Sequence, residues 1–134
     1  MKSILIFCLM LLPLLSNAQE AYKGQYTNSE LKLSLNLDLN NPMPIQDIEY
    51  EGDVCYGIFK GSLNGTWYFL RIEELIDMRA VVRAVSDSGI EAQTLELLFA
   101  DDSVTIRQIN SINIRGVKNG KYVKLPKKII LKKN

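Results

Sequence analysis

The stretch Glu30 to Asn40, ELKLSLNLDLN, places leucine at 31, 33, 35, 37 and 39 and a residue other than leucine at every position between them. Successive side chains of a strand point to opposite faces, so this pattern predicts a β-strand with one apolar and one wet face. A one-residue slip in its pairing turns all five leucines to water, which fixes the register wherever that face is covered. A protein core, a bound ligand, a partner or lipid would each cover it, with different consequences for function.

Turn signals recur along the rest of the chain: Asn40-Asn41-Pro42, Gly52-Asp53, Asn64-Gly65, Asp87-Ser88-Gly89, Asp101-Asp102-Ser103 and Asn119-Gly120. Asn-Gly supplies two residues tolerant of positive φ, so 64–65 and 119–120 are predicted as tight hairpin turns. Between the turns, runs with period two or continuous apolar character cover 22–27, 31–39, 54–60, 66–72, 78–85, 91–100, 104–109, 112–117 and 122–131, the last broken by Pro126. The prediction is an all-β fold, a single small antiparallel up-and-down barrel of about eight strands, with a β-sandwich as the alternative. One segment is ambiguous. Arg71 to Val85, RIEELIDMRAVVRAV, has helix formers and apolar residues at Ile72, Leu75, Ile76 and Met78, so a short helix near 71–77 competes with strand. From Met78 onward strand is expected, with Met78, Ala80, Val82 and Ala84 on one face and Arg79, Val81, Arg83 and Val85 on the other.

The first residues read as an export signal: Lys2, an apolar run from Ile4 to Leu15, and the small Ala18 before Gln19. The run is shorter than the roughly 20 residues that a membrane-spanning helix requires, and Pro13 interrupts it. The expected organisation is a cleaved signal peptide at 1–18 and one antiparallel β domain at 19–134, with no transmembrane segment after cleavage. The mature chain is then periplasmic or extracellular. It is not expected to be a lipoprotein, because Phe7 precedes Cys8 where a lipoprotein signal has a small residue. Cleavage leaves Cys55 without an intramolecular partner, and the expectation for it is a small buried apolar side chain.

Histidine is absent, which excludes Ser-His-Asp and Cys-His nucleophiles and histidine metal sites. No other catalytic constellation is recognisable, and neither a cofactor nor a metal is expected. In DIEYEGD, Asp47, Glu49, Glu51 and Asp53 share one parity and on a strand would form an acidic stripe. Their spacing approaches a calcium loop, but its twelfth position is Ile58 instead of a bidentate Glu. Charge is strongly segregated: residues 19–102 hold all 15 acids and six bases, whereas 103–134 hold nine bases and no acid. Lys121, Lys124, Lys127, Lys128, Lys132 and Lys133 are therefore a candidate patch for an anionic partner, or a guard that keeps the apolar run 129–131 from pairing with other chains. Nucleic acid is not expected, since the aromatics do not interleave with these bases. The aromatics gather instead at Tyr56, Phe59, Trp67, Tyr68 and Phe69, on two runs that a hairpin would set opposite each other. They form either core or a pocket for a ligand or partner, with Gly57 and Gly61 leaving space beside them. Asn64-Gly65-Thr66 also fits the N-glycosylation pattern.

Gly24-Gln25-Tyr26-Thr27-Asn28, followed by the alternating strand, resembles the opening of calycin-type barrels, where Gly-x-Trp begins the first strand of lipocalins and avidin-like proteins. Tyr26 stands at the tryptophan position. Asn28 stands where avidin-like proteins carry an Asn that helps bind biotin, but that family lines its site with several tryptophans and this chain has only Trp67. The resemblance implies a small up-and-down barrel that holds a hydrophobic ligand at one mouth. The function expected is that of an exported binding protein for an apolar small molecule or a partner surface; the alternative is a periplasmic inhibitor or immunity-type protein that blocks an enzyme or toxin.

Overall fold

A computed structural model describes residues 22–47, 50 and 52–134. The expected signal at 1–18 and two members of the acidic stripe, Glu49 and Glu51, lie outside the described residues. The strands are β1 (Lys23–Asn28), β2 (Leu33–Asp38), β3 (Met43–Pro44), β4 (Val54–Cys55), β5 (Gly57–Gly61), β6 (Trp67–Ile76), β7 (Arg79–Ser86), β8 (Ala92–Phe99), β9 (Ser103–Ile109), β10 (Gly116–Lys118), β11 (Lys121–Val123) and β12 (Ile129–Lys133). Eight of them close one barrel in the order β1-β2-β5-β6-β7-β8-β9-β12, with β12 returning to β1. Chain neighbours are sheet neighbours and every pairing is antiparallel, so this is an up-and-down barrel and not a sandwich. Closure leaves no barrel strand with an open edge along its whole length. Two small hairpins, β3–β4 and β10–β11, are inserted between β2 and β5 and between β9 and β12.

The alternating leucines answer to this closure. Leu33, Leu35 and Leu37 face inward and are at most 2% exposed, and Leu39 stays buried just past the strand end. Leu31 departs from the predicted strand, because Lys32 takes φ 57° in the turn between β1 and β2. Asn28 builds that turn: its side-chain oxygen accepts from the Leu31 N–H at 2.8 Å, and its amide donates to the Ile130 carbonyl of β12 at 2.9 Å.

The segment with two readings is two strands, β6 to Ile76 and β7 from Arg79, joined by a turn at Asp77 and Met78, so the short helix near 71–77 does not form and Met78 lies in the turn instead of on the strand face expected for it. The pairing of β6 with β7 explains why its sequence resembles a helix. Trp67, Phe69, Ile72 and Leu75 stand opposite Ser86, Ala84, Val82 and Ala80, with register shifts between Phe69 and Arg71 and between Ile72 and Glu74. Each bulge inserts one residue and so moves the inward position on by three instead of two. An apolar residue every third position is the helical signal, and here two bulges generate it in a strand.

The interior is filled. Phe59, Trp67, Phe69, Leu95, Leu97, Ile106 and Leu131 are each no more than 1% exposed and belong to one core with the β2 leucines and Tyr26. At one end Tyr22 packs edge-on against Phe99 with ring centroids 5.2 Å apart. At the other end Ile114 and Leu125, from the chain between β9 and β12, close over the core. Small residues make room for the large rings: Phe69 lies opposite Ala84, and a Cβ added at Gly57 would sit 2.5 Å from the Phe69 ring. The space predicted beside the aromatics at Gly57 is therefore occupied by Phe69. Gly57→Ala should destabilise the protein by about 1–3 kcal/mol through overpacking, and the pair Gly57→Ala with Phe69→Leu should recover part of the loss. Urea denaturation of the two variants checks this; additive losses would refute the contact as the cause.

Candidate functional site

Parity divides the five aromatics. Phe59, Trp67 and Phe69 point into the barrel, Tyr56 is half-buried against the same core, and Tyr68 points outward. Outside the barrel, Tyr68 lies in a second cluster with Ile45, Tyr50 and Cys55, packed also by Met43, Ile58, Leu70 and Val85. The chain between β2 and β5 thus straps the outer face of β5, β6 and β7. Tyr50 donates to the Ser86 carbonyl at 2.6 Å, and Tyr68 donates to Asp47 Oδ2 at 3.3 Å. Burial, with the Asp47 carboxylate beside it, pushes the Tyr68 phenol up to about 12, so it remains a donor. Burial also pushes the Cys55 thiol up, against a hydrogen bond from the Gly57 backbone, which suits a packed, unreactive cysteine. Asp47 and Asp53 stand on turn backbone between β3 and β4, not on the strand that an acidic stripe requires. Among the described residues no group of three or more His, Cys, Asp or Glu side chains could hold a metal ion, and no helix is long and apolar enough to cross a membrane.

The barrel wall is incomplete between β9 and β12. Pairing between β9 and β12 ends at Ile106 opposite Ile129, while β9 continues through Arg107 and Gln108 to Ile109 along β8. The chain 110–128 covers the gap and leaves a cavity of about 190 Å³. Phe59, Leu95, Ile106 and Ile129 reach it from the barrel interior, and Ile112, Ile114, Leu125 and Pro126 line it from the covering chain. Arg107, Gln108, Lys124 and Lys127 supply its polar wall.

Side-chain amides hold that cover in place. Gln93, fully buried, donates to the carbonyls of Thr94, Ile109 and Ser111 and accepts from the Asn113 N–H at 2.9 Å. Gln108 accepts from the Ile114 N–H and donates to the Ile114 carbonyl, both at 2.9 Å. Asn64 accepts from Trp67 Nε1 and the Arg115 N–H and donates to the Asn113 carbonyl. Asn64 is thus a bracket and not the first residue of a tight hairpin: only Gly65 has positive φ there, whereas Asn119 and Gly120 both do, at 54° and 75°. Its amide nitrogen, the atom a glycan would take, is committed to Asn113. Sequence reasoning missed these amides, although Gln93 and Gln108 carry a signal: each sits on the apolar parity of its strand.

The six lysines are distributed over several elements. Lys124 and Lys127 border the cavity. Lys121 is beside the β10–β11 turn, Lys128 precedes β12, and Lys132 and Lys133 lie at the far end of β12, paired with Thr27 and Tyr26 of β1. Beside the cavity, Arg107 Nε meets Glu96 Oε1 at 3.1 Å, and Arg79 Nε meets Glu96 Oε2 at 2.9 Å. Burial alone raises the Glu96 carboxyl, but hydrogen bonds from Arg79 and Arg107 outweigh it and hold it below the usual carboxylate value. No family model, curated protein or solved structure matches this chain.

Removing the Gln93 amide strands several buried backbone groups, each costing about 1–3 kcal/mol. Gln93→Leu should therefore speed hydrogen exchange at Asn113 and Ile114 far more than in β2; equal protection in both variants would exclude a bracing role. Glu96 has a second readout. A depressed folded-state carboxyl contributes stability that is present above the unfolded value of about 4.3 and lost as pH falls through the lower folded value. Between pH 6 and pH 3, to order of magnitude, the urea midpoint of the wild type should fall more steeply than that of Glu96→Gln, and parallel curves would count against the Arg79–Glu96–Arg107 bridge.

Proposed function

We propose that this protein is an exported, non-enzymatic binding protein that holds a small apolar molecule in the cavity between β9, β12 and the chain at 124–127. The observation that carries the reading is the opening itself. The wall parts between β9 and β12, and apolar side chains from the core reach the cavity there. A dry apolar cavity of about 150 Å³ suffices for a benzene-sized guest, so about 190 Å³ suits a single ring or a short acyl chain. The up-and-down barrel of eight strands supports the likeness to calycin-type proteins. The site differs from the mouth which that likeness implies, since it opens through the wall beside a mouth closed by Ile114 and Leu125. Of the five aromatics singled out in the sequence, Phe59 alone lines it. Export rests on the amino-terminal signal pattern.

Native mass spectrometry of the chain purified from the cell that makes it should reveal a bound small molecule. Titration of methyl-labelled protein with indole should shift the methyls of Ile106, Ile112, Leu125 and Ile129 and leave Leu35 unmoved. A clean apo mass together with no methyl shift on addition of indole or a lipid extract would refute the reading.

A further inference from the structure

Resting on the reading of this cavity as the binding site, we propose that its ligand is a small amphipathic carboxylate, one negative head on an apolar body of about the size of a ring. Three cationic side chains, Arg107, Lys124 and Lys127, line the cavity, and no carboxylate does. Among the described residues neither lysine forms an ion pair. The carboxylate that meets Arg107 is that of Glu96, and it is already shared with Arg79. Residues 103–134 contain no acid, and Glu30, which lines the neighbouring cavity that Lys124 also borders, does not line this one. A cationic ligand is repelled here, and a neutral one leaves this positive wall unused. An anion placed among the three gains from all of them in a site that apolar walls partly shield from water.

Size selects the head. A cavity of about 190 Å³ has to hold the charge as well as the apolar body. A carboxylate is a compact anionic head that leaves most of the volume to Phe59, Leu95, Ile106 and Ile129.

Three probes of similar shape separate the charge from the cavity: phenylacetate, phenethyl alcohol and phenethylamine, each titrated into the full-length protein and followed at the methyls of Ile112 and Ile129. Phenylacetate should bind roughly tenfold more tightly than the alcohol, the sum expected of two partly exposed charge contacts, and the amine should bind least. Raising salt across a range that shortens the screening length from about 30 Å to a few Å should weaken phenylacetate and leave the alcohol unchanged. Lys124→Gln with Lys127→Gln, both exposed positions, should reduce the preference for phenylacetate over the alcohol, both measured in the same variant, to what Arg107 alone supports. Equal affinities for phenylacetate and the alcohol would overturn the carboxylate assignment and leave the cavity reading standing. Failure of all three to move either methyl would overturn both, and an undiminished preference in the double variant would remove the two lysines from the site.

Discussion

The meeting of β1 with β12 is the constraint on which every inward side chain depends. Seven antiparallel pairings join residues close in sequence, but a sheet of eight strands has two edges until its first and last strands meet. Few ladder pairs make that seam, Tyr26 with Lys133 and Thr27 with Lys132. Hydrogen bonds extend it at both ends: the Asn134 N–H donates to the Gln25 carbonyl, and the Asn28 amide donates to the Ile130 carbonyl. Without the seam, Leu33, Leu35 and Leu37 lose the enclosure that keeps them from water. The residue that resembles a biotin ligand in sequence is thus committed to structure, with its oxygen in the β1–β2 turn and its nitrogen on β12.

Closing so small a barrel around large rings requires a taper. Trp67, Phe69 and Phe59 fill the interior, and Gly57 and Ala84 yield space beside Phe69. The bulges of β6 re-aim the wall twice, keeping Ile72 and Leu75 opposite Val82 and Ala80 as the strand bends. The same packing settles what the leucines of β2 face: protein side chains, in an interior closed by Tyr22 and Phe99 at one end and by Ile114 and Leu125 at the other.

The break in the wall between β9 and β12 follows from unequal strand lengths. β9 extends three residues past its last partner on β12, and no strand takes the vacant side. A covering chain that crosses this gap cannot satisfy its backbone through a ladder, so buried amides from Gln93, Gln108 and Asn64 do so instead. That solution fixes the cover rigidly while leaving volume beneath it. Basic residues then border the volume because the whole carboxy-terminal quarter of the chain lacks acids.

By itself the sequence determined the meander, a barrel of about eight strands and the inward side of most alternating runs, because period two and turn chemistry are local properties that neighbouring residues enforce. It marked Ala80, Val82 and Ala84 as one face, although Met78, expected with them, falls in the β6–β7 turn, and Asn119-Gly120 as a tight turn. It left 71–77 ambiguous, since a doubly bulged strand and a helix place apolar residues at the same spacing. Only the tertiary structure decided that Phe59, Trp67 and Phe69 are barrel core while Tyr68 packs outside, and that β9 outruns β12 to leave a cavity. Those outcomes depend on which strand ends lie side by side once the barrel closes, and pairings across the closed sheet are not written in any local pattern.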